Sequence, residues 1–241
     1  MASSQSKFYG MLGAILIAGA GLIAFVAINN RSQDATATTE YSSLTTSSSA
    51  MVSGEVGVAR GPEEAPVLIE EYADYQCGYC GMVATLTIPQ ILENYVDAGM
   101  ARFVFYDYPL DPGSPAELGA QAARCAGDQN AFWAMHKVLM GRQREWGTVR
   151  NVTGMFREYA DALGLDGKAL ADCVESGVYE AVVQASGQRA RQLGLDQTPT
   201  FFINGRPVVG AMGYDQMAAM IEEELAKQQA SQPGSEGAED R

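Results

Sequence analysis

The strongest constraint on the fold lies between Ala65 and Tyr108. The stretch APVLIEEYAD (Ala65–Asp74) is apolar and β-prone and reads as a buried strand. It runs straight into Cys77-Gly78-Tyr79-Cys80. A helical pattern follows, with apolar residues at Met82, Leu86, Ile91, Leu92 and Tyr95. Pro89 interrupts that pattern and should kink it, because proline lacks the helical N–H and its ring crowds the preceding turn. ARFVFYDYPL then reads as a second strand, ended by Pro109. A strand–helix–strand crossover pairs its two strands in parallel. From Ser114 to about Leu195 the periodicity is helical, with Pro115 near one helix start and Gly164, Gly177 and Gly194 as stops. TPTFFINGRPVVG reads as a hairpin turning at Asn204-Gly205, and YDQMAAMIEEELAKQ as a closing amphipathic helix. The order β-α-β, helices, β-β-α is an α/β layout with a helical insertion at about 113–195.

This domain occupies 61–229 of 241 residues. Ahead of it, 1–7 is polar and carries Lys7, while Phe8–Ile28 contains no charge. That run matches the ~20 residues that cross a bilayer core as a helix. A retained signal-anchor fits it better than a cleaved signal peptide, whose apolar region is about 7–15 residues. Ala18, Gly19 and Ala20 keep the cleaved alternative open. Lys7 and Arg31 bias the orientation only weakly. Residues 29–60 are dominated by Ser and Thr and read as a flexible tether reaching on the order of 30 Å. The polar tail 230–241 should fray. The net charge of −13 argues against nucleic acid as a partner.

Two cysteines three apart can hold half a zinc site, staple a loop or carry redox chemistry. Zinc needs four ligands. Cys125 and Cys173 could converge on Cys77 and Cys80 in principle, but they form no second CxxC, and His136 is the single histidine. A staple across so short a loop constrains little. Position favours redox chemistry. The first turn of a helix offers unpaired N–H groups and a positive dipole end, and both favour a thiolate. Cys77 should project at the tip, with Cys80 one turn in and more shielded. A stabilised thiolate makes the reduced form favourable, so the disulfide form is an oxidant. A lone histidine also makes a Ser-His-Asp or Cys-His hydrolase unattractive. No metal or organic cofactor is expected.

The segments EEYADYQCGYC, FVFYDYPL, CAGDQNAFWAMHKVL and TPTFFINGRPVVGA, in this order, resemble the DsbA-type thioredoxin-like oxidoreductases, and most closely their membrane-tethered bacterial branch. The resemblance covers about Gly61 to Leu225. It implies a thioredoxin-like fold with an inserted helical domain, here preceded by one transmembrane helix. It implies that Cys77 is the nucleophile, that Cys80 resolves, and that Pro199 is a cis-proline placing the Thr198 backbone beside Cys77. It further implies a buried carboxylate at Glu71 that relays a proton for Cys80; from the residues alone, a solvated edge carboxylate is equally open. Glu70 should point to the opposite strand face. One departure stands out. The strong oxidants of the family carry histidine just before the second cysteine, whereas Gly78-Tyr79 supplies no positive charge. A milder oxidant is expected.

An extracytoplasmic domain oxidises its thiols and the cysteine count is even, so Cys125–Cys173 is favoured as a structural disulfide over two inert buried thiols. The expected function is donation or exchange of disulfides in exported proteins, with the domain outside the cytoplasm, periplasmic or at the cell surface. The resemblance implies a quinone-linked membrane reoxidase of the DsbB or vitamin K epoxide reductase type. A reductase or isomerase on the same fold, and a tethered binding module with structural cysteines, are the alternatives.

Overall fold

Strand β2 (Val67–Ala73) is apolar along most of both faces, so it lies inside a sheet covered on both sides. In the computed structural model, which describes residues 56–231, β2 pairs in parallel with β3 (Ala101–Asp107) and antiparallel with β4 (Thr200–Ile203). The edges are β1 (Val58–Arg60), antiparallel to β3, and β5 (Arg206–Val209), antiparallel to β4. The order across the sheet is β1-β3-β2-β4-β5. Pro207, which cannot donate to a ladder, sits on the outermost strand β5. Asn204 and Gly205 both have positive φ (46° and 80°), as a two-residue hairpin turn demands.

One strand and one helix depart from expectation. Val58–Arg60 falls in the stretch expected to be flexible tether, yet it forms β1. Three residues carry too short a pattern to read, and tertiary pairing with β3 supplies the order. Gly57 lies so close to that strand that a Cβ would come within 2.6 Å of Val104 Cγ1. Arg60 then forms a bidentate pair with Asp97. The helix after Cys77 is not one kinked rod. It divides into α1 (Gly78–Leu86), α2 (Ile88–Ile91) and a π-helical turn (Leu92–Val96). Pro89 takes the opening of α2, where its missing N–H costs nothing. Thr87 at the break turns its hydroxyl to the Met212 carbonyl (2.8 Å).

The insertion comprises α3 (Pro115–Gly127), α4 (Phe132–Gly141), α5 (Gln143–Trp146), α6 (Val152–Ala162), α7 (Gly167–Ser176) and α8 (Glu180–Gln192). Gly164, Gly177 and Gly194 all take positive φ after helix ends, as stop residues do. Trp146 is fully buried; its indole N–H donates to the Leu139 carbonyl (2.9 Å) and its ring meets Phe156 edge-on. α9 (Tyr214–Ser231) closes the fold against β2 and α2, two residues beyond the expected domain end at 229. The expected segments 1–7 and 8–28, residues 29–55 of the tether, and 232–241 lie outside the described residues. Among the described residues no helix is long and apolar enough to cross a membrane.

The two sheet faces differ. Ile69, Glu71, Phe103, Phe105, Phe201 and Ile203 share one face by register. Glu70, Tyr72, Tyr106 and Phe202 share the other. There Tyr72 stacks on Tyr106 (4.6 Å), and Arg189 of α8 reaches the Tyr72 hydroxyl (2.7 Å) and Glu70 (3.2 Å). Glu70 therefore does point away from Glu71.

Cys125 and Cys173 form a disulfide joining α3 to α7 across 48 residues. Replacing both with alanine frees that loop in the unfolded chain. The urea midpoint should fall by the equivalent of about 3–4 kcal/mol, and the reactivity of Cys77 should not change.

Candidate active site

The path from β2 into α1 is built by Asp74. Its Oδ1 accepts the Gln76 N–H (2.6 Å) and its carbonyl accepts the Cys77 N–H (3.1 Å), which makes an Asx-type turn. Its Oδ2 accepts the Leu110 N–H (2.8 Å), tying the turn to the loop after β3. The turn delivers Cys77 as the N-cap of α1, with extended backbone (φ −72°, ψ 117°). Its Sγ accepts the Cys80 N–H at 3.4 Å. A sulfur thus occupies the place where serine or aspartate oxygen caps other helices.

One turn separates two different environments. Cys77 is half-buried and Cys80 fully buried, and both thiols are free. Hydrogen bonding from Cys80, side chain and N–H, lowers the Cys77 pKa to about 6 against a smaller opposing effect of burial. As a thiol, Cys77 donates to the Thr198 carbonyl at 3.3 Å. That contact favours the proton, but the donors at the helix opening outweigh it. The Thr198 hydroxyl lies outside good hydrogen-bond geometry yet acts in the same direction as those donors. The Thr198–Pro199 peptide is cis. Burial pushes the Cys80 thiol far up, and the neighbouring Cys77 adds to it.

Glu71 is 1% exposed, and neither carboxylate oxygen has a hydrogen-bond partner among the described residues. The register explains its setting: Phe105 and Phe201 flank it across the sheet, and Ile69 and Ala73 along its own strand face. Burial first, then the charge on Cys77, raise its pKa to about 8. The solvated alternative for Glu71 is thereby excluded. Its charge acts on Cys80 as well, adding to the rise of that thiol. His136 is buried between the insertion and the sheet; the Tyr75 hydroxyl bonds its Nδ1 (2.9 Å), and its ring meets Phe105 (4.5 Å). Burial lowers its pKa to about 3, so it is a neutral packing residue.

The structure brings together Cys77, Cys80, Glu71, Gly78, Tyr79, Thr198 and Pro199, and leaves the Cys125–Cys173 bridge within the insertion. Those two cysteines cannot complete a zinc set with Cys77 and Cys80. Tyr79, Met82 and Leu86 are exposed at 67%, 44% and 63% and, at helical spacing, extend an apolar stripe from the active thiol along α1. Beside it lies a groove of about 440 Å³ between α1 and the α4–α5 junction, lined by Gly78, Gly81, Met82, Thr85 and Gln143. Sequence reasoning missed Asp74, Gln76 and Gln143. An aspartate two residues before Gln76 is a readable turn signal. Gln143 is brought in by tertiary folding across 66 positions, and no local pattern announces it.

The chain matches the family described as Thioredoxin over residues 53–223. It is 36% identical over 167 residues to the Na(+)/H(+) antiporter NhaA 3 of Salinispora tropica, covering 67% of this chain but only 24% of that protein. The chain thus spans about a quarter of the length of its antiporter relatives. It is 24% identical over 172 residues to disulfide bond formation protein D of Bacillus subtilis, covering 68% of this chain and 75% of that one. Its fold is similar to that of oxidised BdbD from Bacillus subtilis (TM-score 0.63, 23% identity, 70% and 92% of the two chains). With a free Cys77–Cys80 pair at a helix opening and a family match over most of its length, this chain belongs to the thioredoxin family.

Proposed function

We propose that the protein is a thiol–disulfide oxidoreductase that donates or exchanges disulfides in exported proteins through Cys77 and Cys80. One observation carries this: two sulfurs one helical turn apart, the accessible one favoured as thiolate and the buried one favoured as thiol. In the oxidised form a substrate thiolate attacks Cys77 Sγ. The Cys77–Cys80 bond breaks, a mixed disulfide forms, and Cys80 departs with the electron pair. The buried Cys80 sulfur needs a proton at that moment, and Glu71, held neutral beneath it, supplies one. A second substrate thiolate then attacks the substrate sulfur of the mixed disulfide. Cys77 leaves as thiolate, the substrate is oxidised by two electrons, and the pair is reduced.

Exposed Tyr79, Met82 and Leu86 suit an extended, partly apolar polypeptide segment beside its cysteine. The Cys125–Cys173 bridge supports an oxidising compartment, hence a domain outside the cytoplasm held near the membrane by 8–28 and its tether. A tether of this kind raises the effective concentration of the domain at a membrane reoxidase of the DsbB or vitamin K epoxide reductase type. A reductase or isomerase uses the same geometry at lower potential.

Equilibration with glutathione separates these directions. The oxidant should have a potential above thioredoxin's, about −270 mV, and below the strongest oxidants, about −120 mV; a value at or below thioredoxin's would favour the reductant. Alkylation of the reduced protein should show Cys77 reacting with a midpoint near pH 6 and Cys80 remaining inert. Equal sluggishness at both would leave only a binding module. Tyr79→His, which places an ionisable ring at the exposed helix opening, should lower that midpoint further and raise the potential.

Glu71 gives a stability test. Its folded pKa of about 8 lies above the ordinary carboxylate value of 4.5, so the folded state keeps a proton that the unfolded state has lost. Stability in the reduced protein should therefore fall as pH rises through that window. Glu71→Gln should remove the slope and stabilise the reduced form at pH 8 by about 2–4 kcal/mol. Single-turnover oxidation of a dithiol peptide should slow on the order of ten- to a hundredfold in the same variant.

A further inference from the structure

Two glutamines close the joint between the redox helix and the insertion from opposite sides. Gln143 opens α5, and its Nε2 donates to the backbone carbonyl of Cys77 at 2.9 Å. Gln76 reaches the other way. Its Nε2 donates to the Gly147 carbonyl (2.8 Å), and its Oε1 accepts the Ala116 N–H (3.1 Å). The two residues at the nucleophile are thus tied to the start of α3 and to both ends of α5.

Space at this joint has been cleared for those side chains. A Cβ on Gly81 would stand 2.5 Å from Gln143 Oε1 and 2.8 Å from the Met140 carbonyl oxygen. A Cβ on Gly147 would stand 2.8 Å from the Gln143 carbonyl oxygen and 3.4 Å from Gln76 Nε2. On the insertion side, α5 is fixed by the buried Trp146 and its bond to Leu139.

The bonded atom explains what such a contact can do. The Cys77 carbonyl already accepts the Gly81 N–H (3.1 Å), the bond that closes the first turn of α1. Gln143 uses the second lone pair of the same oxygen. With that peptide held from both sides, the Cys77 backbone stays in its extended N-cap conformation, from which the sulfur reaches the Cys80 N–H. The sulfur contact is long, 3.4 Å, and contacts of that length weaken quickly with misalignment. We propose that Gln143 and Gln76 form a latch through which the insertion positions Cys77 at the opening of α1, which makes both of them positioning residues for disulfide exchange. The inference rests on the redox reading above.

The test is the alkylation pH profile of Cys77 in the reduced full chain, with iodoacetamide as probe and thermal unfolding measured alongside. Gln143→Met keeps volume and removes the donor. Its midpoint should rise about half a unit, so that alkylation near pH 5 falls about threefold. Gly81→Ala leaves both glutamines in place and improves helix propensity, yet it should shift the midpoint the same way by displacing Gln143. The Cys125→Ala/Cys173→Ala variant should lose thermal stability with the wild-type midpoint. If Gln143→Met, or Gly81→Ala should the former not fold, keeps the wild-type midpoint, the latch is overturned whatever the thermal stability. A wild-type midpoint at the free-thiol value overturns the redox reading and the latch together; a depressed wild-type midpoint confines any failure to the latch.

Discussion

The hydrogen bonds that Cys80 gives to the Cys77 sulfur, from its thiol and from its N–H, are the contacts on which the chemistry of this fold depends. A helix start has backbone donors that no helical carbonyl can satisfy, and only the N-cap side chain stands where they point. Cys77 is in that place; Cys80, three residues later, faces the core. Two identical side chains thereby acquire opposite preferences from one turn of backbone. The reduced pair stores one negative charge where solvent and donors accept it, and one proton where burial demands it. The disulfide has no such comfort, since neither sulfur carries a charge for the helix opening to stabilise. That difference drives electrons into the pair.

Strand alternation sets up the second half of the site. Glu70 and Glu71 are neighbours in sequence and lie on opposite faces of β2. Burial raises the pKa of both, but Arg189 pulls against it at Glu70 through a direct ion pair. Glu71 has no such partner among the described residues and sits between two phenylalanines. Leaving a carboxyl there costs stability at any pH above its unfolded pKa, and a methyl-lined alternative would pack better. What the position offers instead is an acid that keeps its proton close to neutrality and is coupled to the sulfur pair. The charge on Cys77 and the proton on Glu71 support each other, because a thiolate above a carboxyl disfavours a second negative charge.

Much of this is legible in the sequence. The parallel crossover, the Asn204-Gly205 hairpin and the glycine stops follow from local rules that tertiary structure had no reason to override. The cysteine asymmetry follows from position at a helix start. Glu71 was ambiguous because alternation says which face a residue takes, not whether that face is covered. β1 was lost because three residues have no period; its order comes from β3, more than forty positions away in the chain. The division of the first helix was half legible: Pro89 announced a disturbance, but whether the helix bends or restarts depends on Thr87 finding the Met212 carbonyl. The glutamines were illegible for a stronger reason. A carboxamide on an exposed helical pattern looks the same whether it faces water or a backbone carbonyl 66 residues away.

The chain also uses one type of bond for two opposed purposes, and the geometry keeps them apart. A disulfide holds a fold together in proportion to the chain it encloses, so a bridge across three positions restrains almost nothing, whereas Cys125–Cys173 encloses 48. The short pair is therefore free to open and close without loosening the domain, and its worth lies in how readily it gives up its bond. The long pair has the reverse requirement. Helix α3 connects the two: near its start Ala116 holds Gln76 beside the nucleophile, and near its end Cys125 is bridged to α7. The long bridge stabilises the insertion as a body, whereas the alignment of Cys77 rests on the hydrogen bonds that reach it locally, so the bridge can be lost without changing the reactivity of the short pair.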